Sequence, residues 1–475
     1  MSVETTLDHP APSMPAEALR GLCGGAVHLP GDAGYEMARM PWNVAVDQRP
    51  AAVAYPHSAA EAAELVVAAA RAGLRVAPQS TGHAAGPLAE SSLEDVVIVR
   101  TSELNGVTID PEARTVRAEG GVLWQQVVEA AAPHGLAALH GSSPDVAVAG
   151  YALGGGVGWY ARKLGLATNS VLALEVVTAD GQVRRVSAES TATDADLFWA
   201  LRGGGGNFGL VTAVELRLFP IADAYAGMLL WDRQHADTVV REWARWSGSA
   251  PDEVTTSLRV MSFPPMPELP DFLRGRQLVI IDGAVLADDA TAAELLGPLR
   301  ALSPEMDTFG RVPAAALSRL HMDPEGPTPA VSGSLTLAGL PEEAVEAFLA
   351  EVGHGSTSSL LFAELRQLGG ALGRDADGAG ALPRLDAAYA GFFVGIAATP
   401  EMAAQGLADA ARLEAALQPW AGGRTYLNFT ETTVDASTAF DGDTWTRLRQ
   451  VRAAVDPEGV FLANHQIPGA GSSRG

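Results

Sequence analysis

From Ser58 to Arg71 the sequence SAAEAAELVVAAAR places apolar residues at helical spacing behind a serine, with a glutamate three residues on. A hydroxyl and a carboxylate at that spacing satisfy the free amides of a first turn, so the stretch predicts a capped amphipathic helix. The apolar run LRVAP at 74–78 follows as a strand. In open α/β sheets ligands sit beyond the carboxyl ends of strands, which is where the loop carrying His83 falls. Asp95–Val99 and Thr115–Glu119 read as further strands, and Val122–Pro133 as a second helix entered from Gly120-Gly121. Val171–Thr178 and Val183–Ser187 are joined by Ala179-Asp180-Gly181-Gln182, whose Asp-Gly pair predicts a hairpin. A short helical piece, Leu197–Leu201, precedes Gly203–Gly206, and Leu210–Phe219 alternates as a long strand.

After Pro220 the pattern changes. Apolar strands (Gln277–Ala284, Val331–Ala338, Ala390–Ala397) alternate with Ala-rich helices (Thr291–Arg300, Pro341–Glu351, Glu401–Leu417), which predicts an antiparallel sheet backed by helices. Segments 264–270 and 323–329 are Pro-rich connections, and Gly369–Gly380 reads as a mobile loop. Residues 1–20 read as a disordered leader, followed by domains at 21–220 and 221–423 and a segment, 424–475, that returns to the first of them. No internal repeat is visible.

A length of 475 residues suits two domains. With 32 basic against 56 acidic side chains the net charge is −24, and such a surface repels phosphate backbones and acidic lipid, so neither nucleic acid nor membrane is expected as a partner. The single cysteine, Cys23, excludes an intramolecular disulfide and a thiolate-cluster metal site. No secretory signal and no run of about 18 apolar residues is seen, so a cytoplasmic location is expected.

Four features yield to plainer readings. Gly204-x-Gly206-x-x-Gly209 matches a dinucleotide fingerprint, but a helix precedes it and a strand follows, the inverse of what that fingerprint requires. His321, His354 and His465 are too isolated to form a metal site, and none is expected. Trp243 and Trp246 read as one packed helix face, and Asp288 with Asp289 as a solvated helix start.

The chemistry concentrates in two glycine-rich stretches. The loop Pro78-Gln79-Ser80-Thr81-Gly82-His83 ends β-like apolar sequence, and His140–Val171 holds seven glycines in thirty-two residues, a density expected where backbone approaches something closely. Together with DLFWALRGGGGNFGLVTAVELRLFP, these stretches resemble the FAD-binding half of the flavoproteins built like p-cresol methylhydroxylase and vanillyl-alcohol oxidase, in their berberine-bridge-enzyme-like branch. The resemblance implies an α+β, two-domain FAD-binding fold of the p-cresol methylhydroxylase type, with an antiparallel-sheet substrate domain backed by helices.

It further implies that residues Pro78, Gln79, Ser80, Thr81 and Gly82 wrap the FAD pyrophosphate and that His83 bonds the flavin 8α-methyl, although the usual Arg-Ser-Gly-Gly-His is altered here. In the stretch Ser143-Pro144-Asp145-Val146-Ala147, Ser143 stands where relatives with a second tether carry cysteine, so a single covalent link is implied. Val146 falls where a small branched residue admits oxygen, and Gly150, Gly154, Gly155 and Gly158 line the cofactor, with Val211 in the strand passing its adenine end. Tyr151 replaces a histidine near the flavin. Tyr426, in Tyr426-Leu427-Asn428-Phe429, matches the family's base; Phe429 and Val157 lack the hydroxyls of partner tyrosines. Asn464 matches an asparagine at the flavin edge, and His465 is expected in the same pocket. Tyr426, Tyr151 and His465 are thus the catalytic candidates.

The implied activity is oxidation of a C–OH or C–N carbon of a small molecule, a natural product or sugar-like substrate, with dioxygen reduced to hydrogen peroxide. The alternative is a cyclase or binding protein with a structural flavin. Oligomeric state is left open.

Overall fold

The computed structural model describes residues 15–267 and 269–470, in three sheets. The first contains β1 (Val27–His28), β2 (Ala52–Ala54), β3 (Arg75–Gln79) and β4 (Val96–Arg100), in the order β1-β2-β4-β3. Pairings β2·β4 and β3·β4 are parallel, and their apolar residues are buried on both faces, as parallel strands require. The helix Ala59–Arg71 makes the crossover from β2 to β3, and Ser58 Oγ caps it by accepting from the Glu61 amide at 3.2 Å. Far along the chain, Phe461 bridges Val76 in parallel, with Val76 N donating to Val460 O at 2.7 Å and Leu462 N to Val76 O at 2.9 Å. The closing segment therefore lies beside β3 and the loop that follows it.

The second sheet, β5 (Val107–Asp110), β6 (Thr115–Glu119), β7 (Val171–Val177), β8 (Val183–Ser187) and β9 (Leu210–Arg217), is antiparallel in the order β5-β6-β9-β7-β8. The β7–β8 hairpin turns through Gly181 at φ +77°. Ahead of β9 the chain runs helix Ala192–Leu201, then a 3₁₀ turn at Gly205–Phe208, confirming the inverted context of the Gly204–Gly209 run.

The third sheet is the largest: β10 (Asp223–Asp232), β11 (Val254–Ser262), β12 (Gln277–Val285), β13 (Met306–Asp307), β14 (Gly310–Pro313), β15 (Ala330–Leu337), β16 (Leu360–Gln367) and β17 (Tyr389–Ile396). Its order is β13-β10-β12-β11-β16-β17-β15, with β14 also on β10, all antiparallel. Helices Ala236–Ser247, Glu342–Val352 and Pro400–Leu417 contribute to one core with it, where Leu229, Trp231, Leu258, Ile281, Leu365 and Phe393 pack with Trp243, Phe348 and Leu413. Each such side chain, fully buried, contributes about 1.5–3 kcal/mol. Strand periodicity sends the intervening residues to the opposite face, which carries the polar cluster described below.

Several expectations change in detail. Residues 1–14 of the expected leader lie outside the described residues, but Pro15–Leu19 forms a 3₁₀ turn whose Ala16 and Leu19 are buried against the first sheet. The helix expected at 291–300 is two pieces, Asp289–Leu295 and Gly297–Arg300, divided at Gly297-Pro298. The 369–380 loop is anchored at both ends: Arg162 donates to Leu368 O, while Ala381 N and Leu382 N donate to Trp199 O and Arg202 O at 3.1 and 3.2 Å. Among the described residues no helix is long and apolar enough to cross a membrane.

Arg162, just past the glycine run, locks that run to the third sheet. Besides Leu368 O, its guanidinium donates to Val254 O at 2.7 Å and to Ala250 O at 2.8 Å. Arg162→Met leaves these carbonyls unsatisfied and is expected to lower unfolding free energy by roughly 3–5 kcal/mol, read as a drop in denaturation midpoint.

Candidate active site

The loop after β3 is fixed by its own side chains. Gln79 Oε1 accepts from Arg100 Nη1 at 2.6 Å, and Ser80 Oγ donates to Gly120 O at 2.8 Å. Gly82, at φ +82°, leaves no room for a Cβ, which would stand 2.7 Å from Cβ of Pro41. His83 then stacks on Trp42, ring centroids 4.1 Å apart and 17° from parallel. Its Nδ1 is 2.7 Å from Thr81 Oγ1, while its buried Nε2 has no hydrogen-bond partner and faces Asp145 Oδ1 at 3.8 Å. Burial pushes the imidazole down to about 4, so His83 is neutral at neutral pH.

The other oxygen of Asp145 is fully engaged, accepting from Trp42 Nε1 at 2.6 Å and from the Gly326 amide at 2.9 Å. Ser143 donates to Asp323. The Pro-rich 323–329 connection thereby clasps the 143–145 loop beside His83.

The glycine run meets protein atoms at several positions expected to line a cofactor. A Cβ at Gly154 would collide with Asn428 Oδ1, one at Gly156 with the Tyr151 ring, and one at Gly158 with His140 O. Gly155, at φ +127°, faces Leu382 and Tyr426, and Gly150 is exposed with open space around it. Tyr426 is buried and its hydroxyl accepts from the Gly156 amide at 3.1 Å; burial pushes the phenol up to about 12. Tyr151 lies edge-on to Trp124 at 5.3 Å, its hydroxyl buried without a partner and its pKa raised by burial. Val146 is half-buried and Val211 buried in β9.

The closing segment brings two more candidates to the His83 loop. Asn464 Nδ2 donates to Ala84 O at 2.5 Å, and His465 Nε2 lies 3.0 Å from Thr430 O, its pKa lowered by burial. Beside them, the backbone carbonyl of Glu431 abuts Gly86, and its carboxyl, bonded by Ser332 Oγ at 2.7 Å, is pushed by burial up to about 7.

The polar face of the third sheet holds a cluster that sequence reading left as scattered residues. Ser257 pairs across to both Asp282 and Arg366, and Arg259 to Glu364. Arg259 Nη2 reaches Asp282 Oδ2 at 2.6 Å, and the same oxygen meets His321 Nδ1 at 2.8 Å. Glu364 Oε1 accepts from Ser257 Oγ and Arg366 Nε, both at 2.7 Å, with Glu364 Oε2 3.7 Å from His321 Nε2. Arg366 lies 5.4 Å from the Phe429 ring centre and reaches Ser142 Oγ at 3.4 Å. Burial and Arg259 oppose a charged His321, but Asp282, Asp323 and Glu364 outweigh them and hold its pKa up to about 9. Burial likewise opposes the Glu364 carboxylate, yet Arg366 and His321 keep its pKa well below the usual range. Alternate polar positions, Ser257/Arg259 and Glu364/Arg366, were the available sequence signal.

Residues 50–187 match the FAD binding domain family. The chain is 36% identical over 208 residues to (R)-6-hydroxynicotine oxidase of Paenarthrobacter nicotinovorans, covering 44% of each, and 31% identical over 230 residues to xylooligosaccharide oxidase of Thermothelomyces thermophilus, covering 46% of this chain and 45% of that one. These matches span under half the length of the relatives. The fold of Physcomitrella patens BBE-like 1 superposes with a TM-score of 0.82 at 21% identity, covering 96% of this chain and 99% of that one. Both of the sequence relatives are named as oxidases, and the family match lies within the FAD-binding part of this chain. The chain has the α+β, p-cresol methylhydroxylase-type fold.

The residues present fit the cofactor of such an oxidoreductase. The tight Gly82 turn and the unpartnered, neutral Nε2 of His83 offer backbone to a phosphate and a nucleophilic nitrogen to a flavin methyl. Among the described residues no cluster could hold a metal ion.

The His321 cluster gives stability a pH dependence. Because the folded pKa, about 9, lies above the unfolded value of about 6.5, the stabilisation is complete below the latter and is lost as pH rises through the former. His321→Asn is expected to flatten this fall, on the order of 3 kcal/mol, in unfolding measured across that window.

Proposed function

We propose that the protein is an FAD-dependent oxidase acting on a C–OH or C–N carbon of a small molecule, a natural product or sugar-like compound. The reading is carried by the neutral His83 held between Trp42, Thr81 and Asp145 at the contact between the FAD-binding part and the third sheet. FAD is assigned to residues 21–220 with 424–475, and substrate to 221–423. The two relatives are named for 6-hydroxynicotine and for xylooligosaccharide, a nitrogen-containing and a hydroxyl-bearing compound, which supports leaving both bond types in the reading. The net charge of −24 and the lone buried Cys23 suit a reducing, cytoplasmic setting.

In this reading the backbone of Pro78, Gln79, Ser80, Thr81 and Gly82 holds the pyrophosphate, His83 forms a single covalent link, and Asn464 stands at the ring edge. When bound, FAD supplies the two-electron acceptor for the substrate hydride and passes the pair to dioxygen, yielding hydrogen peroxide. Tyr426 takes the heteroatom proton: the Gly156 amide aimed at its oxygen stabilises the phenolate, against the burial that keeps the free phenol protonated. Tyr151 and His465 flank that role. Arg366, fixed by Glu364 and bonded to Ser142, orients polar groups of the substrate.

The test is anaerobic titration with candidate alcohols, sugars and amines. Bleaching of bound flavin, followed by peroxide on admission of air, is the expected result; a flavin that no such compound bleaches favours the structural-flavin reading. Tyr426→Phe should slow flavin reduction by roughly 10²–10⁴-fold with little change in substrate binding, measured by stopped flow. Val146→Leu should slow reoxidation by air about tenfold, equivalent to about 1.4 kcal/mol of barrier.

A further inference from the structure

Two buried polar atoms confront each other across 3.8 Å with no hydrogen bond to anything among the described residues: Nε2 of His83 and Oδ1 of Asp145. Leaving such atoms unpaired is costly, and the surroundings enforce it. Asp145 cannot turn, because its Oδ2 is held by both Trp42 Nε1 and the Gly326 amide. His83 cannot turn either, stacked on Trp42 and bonded at Nδ1 to Thr81 Oγ1. One indole thus fixes both partners.

We propose that Asp145 is a positioning residue for covalent flavin attachment, its free oxygen making Nε2 of His83 the bond-forming nitrogen by stabilising the positive charge the ring acquires. This rests on the reading of the His83 loop as flavin-linking. In the tautomer this requires, Nδ1–H donates to Thr81 Oγ1 and the lone pair is on Nε2. Burial keeps the ring neutral despite the adjacent carboxylate, so that lone pair is available at neutral pH. In the attachment the flavin 8α-methyl and the imidazole each lose one hydrogen as the C–N bond forms. The two hydrogens, with their two electrons, pass to dioxygen, which becomes hydrogen peroxide. Carbon and nitrogen gain one bond, and the flavin returns to its oxidised state. The imidazole is cationic midway through this sequence, and the fixed anion beside Nε2 lowers the energy of that stage.

The test uses the full chain purified with FAD as wild type and Asp145→Asn. Flavin per chain is measured in the native protein, and then in pellet and supernatant after acid precipitation. Wild type should keep its flavin in the pellet. Asp145→Asn should carry flavin in the native state yet show a pellet-bound share lower by roughly tenfold or more, since the charge acting on His83 is lost while the binding loop remains. A merely structural role would lower native flavin content instead. Asp145→Asn with the wild-type pellet share, or with no flavin bound at all, overturns the proposal. Wild-type flavin wholly in the supernatant overturns the tether reading on which it rests.

Discussion

The carboxylate of Asp145 joins segments far apart in the chain: the indole of Trp42 and the Gly326 amide both donate to its Oδ2 and are tied there to the 143–145 loop. A buried carboxylate is tolerated only where donors replace water, and here the donors come from different layers of the fold. The bond fixes Trp42, Trp42 fixes the plane of His83, and the 323–329 connection is drawn over the FAD-binding loops. Thr328 N donating to Trp42 O at 3.0 Å, and Asn43 bonding both the amide and carbonyl of Ala330, extend the same seam to β15.

Across that seam lies a sheet with two unlike faces. One is apolar and backed by helices; the other buries Arg259, Asp282, Glu364, Arg366 and His321. Charges so placed destabilise a fold unless met by an opposite charge or a donor, and strand register brings the partners within reach: Arg259 meets Asp282, and Ser257 and Arg366 meet Glu364. The result is a polar wall whose charges are held by one another, with Arg366 reaching Ser142 and lying against the Phe429 ring.

Elements written in local periodicity were legible in the sequence. The capped helix before β3, the Asp180-Gly181 hairpin and the inverted Gly204–Gly209 context all follow from neighbours within a few residues. Strands β10, β11 and β16 were not assigned. In β11 and β16, Ser257, Arg259, Glu364 and Arg366 alternate with apolar residues as on a solvated strand, yet they are buried, because their compensating partners sit on other strands or in loops. The His83 loop was legible through its motif, but Trp42 and Asp145 were not, because stacking and an indole hydrogen bond between distant segments leave no periodic trace. At glycines 154, 156 and 158 the close approach that composition signalled is to protein atoms, since Asn428, Tyr151 and the His140 carbonyl press against these positions.

The claim on which the rest depends is that the His83 loop and its clasp form a seat for one FAD. The direct measurement is flavin content per chain in purified protein, with isothermal titration of FAD into any flavin-poor fraction. The account predicts one FAD per folded chain; a folded protein that neither carries FAD nor takes it up would contradict it.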